Sequence, residues 1–147
     1  MQAKRRSGTP SAANSSSRQP EGIRLFLDES LDSDAVATAL RDAGALVERL
    51  TDHFSKGTAD EVWLERAGKE GWVVLTRDKR IRYRKLERIT LMMAGVRAFV
   101  FTGGNVTIKE TGQILVLALT HIRRICEKES GPFVCHVGRS GKPVKMD

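Results

Sequence analysis

From residue 23 onward the chain switches between short apolar runs and longer stretches whose apolar residues recur on one helical face. Ile23-Arg24-Leu25-Phe26-Leu27 reads as a strand that ends at Asp28-Glu29. Ser33 then caps a helix over residues 34–43, with Val36, Ala37, Leu40 and Ala43 on one face, and Gly44 stops it. Residues 45–50 read as a second strand. After a polar link, Thr58-Ala59-Asp60-Glu61 has the spacing of a capping box. It opens a helix to about residue 69, with Val62, Trp63, Arg66 and Ala67 at helical spacing, and Gly71 ends it. Trp72-Val73-Val74-Leu75 is uninterrupted and apolar, as a strand covered on both faces requires. A short helix is expected over 86–94 and a fourth strand over 96–102. Thr107-Ile108-Lys109-Glu110 is a second capping box, opening a helix over 108–128 that buries Ile114, Leu115, Leu117, Ala118, His121, Ile122 and Ile125. Residues 132–137 and 142–146 read as a hairpin across Gly138-Arg139-Ser140-Gly141.

The order β-α-β-α-β-α-β-α followed by a hairpin predicts an α/β fold with a mainly parallel sheet and helices on both faces. Sites in such sheets form beyond the carboxyl ends of the strands, where Asp28 and Asp78 fall. Asp60 opens the helix that feeds the third strand. In a simple unit that puts it on the opposite rim, unless the 51–58 link carries it back.

Composition sharpens this picture at two points. Residues 1–22 are Ser, Ala, Gly, Pro, Gln and Arg with almost no large apolar side chain, so they are expected to be a disordered basic tail. Residues 23–147 are expected to be the domain. Net charge is +7 and pI near 9.8. The tail contributes Lys4, Arg5, Arg6 and Arg18 against Glu21, so most of the excess belongs to the domain and favours a polyanionic partner. Cys126 and Cys135 form no CxxC or Cys/His cluster, which argues against zinc and for buried thiols in a cytoplasmic protein, with a disulfide between them the lesser alternative. No stretch approaches the roughly 20 apolar residues of a membrane span.

The chemistry concentrates around Thr76-Arg77-Asp78-Lys79-Arg80. A buried strand here ends in a carboxylate and breaks at once into cations. Asp28, Asp60 and Asp78 are carboxylates at element ends, and such oxygens suit Mg²⁺ or Mn²⁺ facing a phosphodiester. Arg77, Lys79, Arg80, Arg82, Arg84 and Lys85, with Tyr83 among them, suit a phosphate backbone and an unpaired base on an exposed loop. Each has a plainer role as well: Asp60 as a helix-dipole partner, Asp78 as a turn former, the cations as a solvated loop. Gly103-Gly104-Asn105 is a turn, with Asn105 a candidate to line the pocket. Glu29, beside Asp28, is a candidate outer ligand, and Glu61 is assigned to the cap.

Leu25-Phe26-Leu27-Asp28-Glu29-Ser30, Thr58 through Ala67, and Val73 through Asp78 together resemble the PIN-like domain, in particular its VapC-type toxin ribonucleases. The Thr-Arg-Asp-Lys-Arg block and Pro132-Phe133-Val134 are similar to a small branch of that family. The resemblance implies a three-layer α/β/α fold that gathers Asp28, Asp60 and Asp78 into one pocket around Mg²⁺ or Mn²⁺, with Thr76 bonding a carboxylate or water. It also implies endoribonuclease activity on RNA and a cognate antitoxin; a homodimer is compatible. The family's glutamate between the first two acids has no clear match here; Glu29, Glu48 and Asp52 are candidates. Two other readings stay open. One is a receiver-like phosphoacceptor using Asp28-Glu29, Asp78, Thr102 and Lys142. The other is an RNA-binding module of the same fold without catalysis.

Overall fold

The computed structural model describes residues 22–146, so the expected tail lies, Gly22 apart, outside the described residues. Six strands form one sheet: β1 (Arg24–Leu27), β2 (Leu46–Arg49), β3 (Val73–Thr76), β4 (Arg97–Phe101), β5 (Phe133–Val137) and β6 (Pro143–Lys145). Their spatial order is β2-β1-β3-β4-β5-β6; every pairing is parallel except the β5–β6 hairpin. The helices are α1 (Asp34–Asp42), α2 (Leu50–His53), α3 (Asp60–Glu70), α4 (Lys85–Ala94) and α5 (Ile108–Lys128), with a 3₁₀ turn over Lys79–Arg82.

Alternation along the strands divides the core in two. Leu25, Leu27, Val73, Leu75, Phe99 and Phe101 face α1 and α5, meeting Val36, Leu40, Leu115, Ala118 and Ile122. Phe26, Val74, Ala98 and Val100 face α3 and α4, meeting Trp63, Leu64, Ala67 and Leu91. This is the expected α/β/α sandwich. Ser33 caps α1 by accepting from Val36 N at 3.1 Å, and Thr107 and Glu110 close the box that starts α5.

Four local expectations need correction. Thr58-Ala59-Asp60-Glu61 is not a capping box. Ala59 is the N-cap, and the Thr58 hydroxyl donates to Ser55 O at 2.6 Å. The chain past β2 does not stay extended, because Leu50 turns it into α2 beneath Phe26 and Trp63. Leu117 is 66% exposed, since the buried stripe of α5 runs through Leu115, Ala118, Leu119, Ile122 and Cys126. The basic segment is a 3₁₀ turn leading into α4, not an open loop. Both cysteines are free and buried, and burial pushes each thiol up to about 11.

The α3/α4 layer depends on one close approach. A Cβ on Gly68 would stand 2.6 Å from Ala94 Cβ and meet the Ala94 carbonyl. Gly68→Ala gains helix propensity of about 1 kcal/mol but overpacks a tight contact, which costs about 1–3 kcal/mol. The variant is expected to unfold at lower urea than wild type, and a midpoint at or above wild type would show that the helices separate freely there.

Candidate active site

The sheet changes direction between β1 and β3. β1 leads to β2 on one side, whereas β3 starts the run to the other, and crevices form at such points beyond the strands' carboxyl ends. β1 and β3 pair as Leu27↔Leu75, and Asp28 N extends the ladder to Leu75 O at 3.3 Å. Asp28 and Thr76 therefore leave the sheet side by side. The Thr76 hydroxyl donates to Asp28 Oδ2 at 2.5 Å and accepts from Asp78 N at 3.0 Å. Ser30 Oγ donates to Asp28 Oδ1 at 2.5 Å and accepts from Arg77 N at 2.8 Å. Two hydroxyls thus fix one carboxylate and join the loops after both strands.

Asp60 also stands at this rim, where the resemblance puts it and against the simple-unit reading that puts it opposite. A strand that ends at the carboxyl rim hands the chain to a helix starting at that rim; the helix then runs back toward the next strand's amino end. α3 follows this course, and its first residue, Asp60, accepts from Trp63 Nε1 at 3.1 Å. A cleft of about 540 Å³ results. Asp28, Glu29, Asp60, Glu61, Asp78 and Glu87 line it, with Arg80 and Arg84 facing them.

Burial and crowding of like charge set the electrostatics. Asp28 is 4% exposed, and burial pushes its carboxyl up to about 6 despite the Ser30 and Thr76 hydrogen bonds; Asp60 and Asp78 add repulsion. Asp60 is also raised, first by burial and then by Asp78, Glu87 and Glu61. Asp78 is lowered, because Arg80 grips both its oxygens, Nε to Oδ1 at 2.9 Å and Nη2 to Oδ2 at 3.0 Å.

Among the described residues, no three carboxylate, imidazole or thiolate groups stand close enough to form a ready-made metal cage. The three aspartates share a cleft, but each has turned to its own donor. The donor set nevertheless fits Mg²⁺ or Mn²⁺. It is all oxygen, its charge excess is negative, and such ions keep several waters rather than demand a full protein cage.

The other expected residues divide. Glu29 lines the cleft and accepts from Gly57 N at 2.8 Å. Asn105 is not among its walls. Glu48 is turned away to Arg24 and His53, and Asp52 caps α2 through Arg49 N, so neither supplies the missing glutamate. Sequence reasoning passed over Glu87, which is 6% exposed on the inner face of α4, and assigned Glu61 to a cap that it does not make. It also gave Ser30 no role. Of the cations, Arg80 and Arg84 border the cleft, while Arg77 donates to Gly104 O at 2.8 Å and lies over Phe101. Lys79, Tyr83 and Lys85 are exposed. Thr102 bonds Val137 O, and Lys142 lines a different hollow, so the phosphoacceptor reading finds neither of its partners in the cleft.

Residues 23–103 match a family model described as PIN like domain. The chain is also similar to a Mycobacterium tuberculosis (strain ATCC 25618 / H37Rv) protein named "Putative ribonuclease VapC45". The two are 26% identical over 114 residues, covering 75% of this chain and 82% of the relative. No solved structure matches.

Proposed function

The chain belongs to the PIN-like domain family, and from that premise we propose that it is an Mg²⁺- or Mn²⁺-dependent endoribonuclease, the toxin half of a toxin–antitoxin pair. The observation that carries the reading is the convergence of Asp28, Asp60 and Asp78 on one cleft at the point where the sheet reverses. The name of the mycobacterial relative supports RNA as the substrate. In this reading residues 23–147 are the nuclease domain, acting in the cytoplasm, and the antitoxin works by covering the acidic cleft.

Asp28, Asp60 and Asp78 would hold the ion, with Glu61, Glu87 and Glu29 contacting its waters. The bound ion would polarise a phosphoryl oxygen and acidify a water. The chain's own residues prepare that step. Thr76 and Ser30 hold the Asp28 carboxylate in one orientation, so its free lone pairs keep a fixed aim. Arg80 and Arg84 at the cleft wall attract the scissile phosphate, and Lys79, Tyr83 and Lys85 extend that contact along the strand. The test is cleavage of structured RNAs by the full chain with Mn²⁺ or Mg²⁺ and with EDTA. Cleavage confined to the divalent arms is expected; equal cleavage in EDTA would end the metal reading.

Arg80 competes with the ion for Asp78. Solvent screens exposed pairs of this kind, so the competition is weak. Arg80→Ala is therefore expected to tighten Mn²⁺ binding a few-fold in calorimetry while weakening RNA binding. Looser Mn²⁺ binding would mean that Arg80 supports the ion instead.

A further inference from the structure

We propose that a hollow on the flank of α5, away from the acidic cleft, is a second RNA-phosphate site that anchors the strand beyond the point of cleavage. The hollow is about 360 Å³ and lies between the C-terminal half of α5 and the β5–β6 hairpin. His121, Arg124, Lys128 and Lys142 line it over an apolar floor of Ile125 and Pro143. Its one carboxylate, Glu129, is already paired with Lys145. Among the described residues, Arg124, Lys128 and Lys142 have no ion pair, so the hollow keeps an uncompensated positive charge. Protein surfaces that concentrate cations without acids bind polyanions.

The hairpin is seated so that this wall is fixed. Gly141 is buried with φ +80°, and a Cβ there would stand 3.3 Å from Leu117 Cβ and 3.4 Å from Ile114 O. The turn thus lies directly on α5, which sets Lys142 opposite Arg124.

Two further cations, Arg77 and Arg139, follow strands that span from the cleft to the hairpin. Arg77 donates to Gly104 O and Arg139 donates to Gly103 O at 2.7 Å. Both guanidiniums are held by neutral carbonyls, which fixes their positions; Arg139 also lies within reach of the Glu110 charge. Arg77 follows β3, while Arg139 follows β5, two strands further along the sheet at about 4.8 Å per step. An RNA strand with one phosphate at the acids would cross Arg77 and Arg139 and reach Lys142 and Arg124. Nothing about this path depends on base identity, so it would add affinity rather than sequence choice.

The inference rests on the reading of the protein as a ribonuclease. Its test is fluorescence anisotropy of a labelled single-stranded RNA with the full chain in EDTA, across a range of salt, for Arg124→Ala, Lys142→Ala and their double variant. These side chains are exposed, so the fold should tolerate their loss. Each lost phosphate contact on a single strand lowers the slope of log K against log salt by about 0.7, so the double variant should lose about 1.4. Lys69→Ala, at the far end of α3, should leave the slope unchanged. An unchanged slope in the double variant, in protein that still cleaves RNA with Mn²⁺, overturns the inference and leaves the ribonuclease reading standing. If wild type itself cleaves no RNA with Mn²⁺, the ribonuclease reading is overturned, and a lowered slope in the double variant then marks an RNA-phosphate site with no role in cleavage.

Discussion

Asp28→Asn is expected to cut RNA cleavage by roughly 10²–10⁴-fold in kcat/KM, because a bound ion supplies several kcal/mol and each 1.36 kcal/mol is tenfold. The substitution keeps the shape of the side chain and leaves the Ser30 and Thr76 hydroxyls with an amide to bond, so the fold should survive. What it removes is the charge at the centre of the cleft. RNA binding should change little, since the cations at the cleft wall remain. A variant that binds RNA normally and cleaves nothing separates catalysis from binding. Full cleavage by the variant would instead favour a module that only binds RNA, with any cutting due to a contaminant.

The second large effect is on stability, and it runs against the first. Below about pH 3.8, Asp28 is protonated in folded and unfolded chains alike, and burial is not penalised. As pH rises through about 6, the folded chain must ionise a buried carboxyl that the unfolded chain ionised earlier. Raising that carboxyl from 3.8 to about 6 corresponds to about 3 kcal/mol lost over this window. Other groups titrate too; Asp32 and Asp78 are lowered and act in the opposite direction. The informative quantity is therefore wild type minus Asp28→Asn, measured by urea unfolding in EDTA. Relative to the variant, wild type should lose about 3 kcal/mol between about pH 4 and pH 7. Mn²⁺ at about pH 7 should restore stability to wild type and not to the variant. A difference that stays flat with pH would mean that Asp28 is not strained by its burial.

Much of this architecture is legible in the chain. The run Trp72 to Leu75 can be read as a doubly covered strand because its side chains leave no polar face, and Val73–Thr76 are all buried. The Thr107 box and the Ser33 cap hold, each hydroxyl accepting from the backbone N–H three residues on. The box at Thr58 fails for the opposite reason: a turn at Ser55 offers Thr58 a carbonyl, and Glu61 is released into the cleft. The rim of Asp60 is legible from chain direction alone, once a helix is followed back from the strand before it. Glu87 is not legible. It lies in a charged stretch, Lys85-Leu86-Glu87-Arg88, that reads as solvated, and the packing of α4 on α3 turns it inward while Leu86 stays exposed. The distance from shared cleft to metal cage also lies outside the sequence, since it depends on where Arg80 points.

The central claim is that Asp28, Asp60 and Asp78 serve one cation. Crystals of the full chain grown with Mn²⁺ test it through the anomalous signal of the metal. One strong peak is expected between these three aspartates, within about 2–2.5 Å of at least two of their oxygens and with Arg80 swung off Asp78. Mn²⁺ found elsewhere, with the Arg80–Asp78 pair still closed in protein that cleaves RNA, would contradict it.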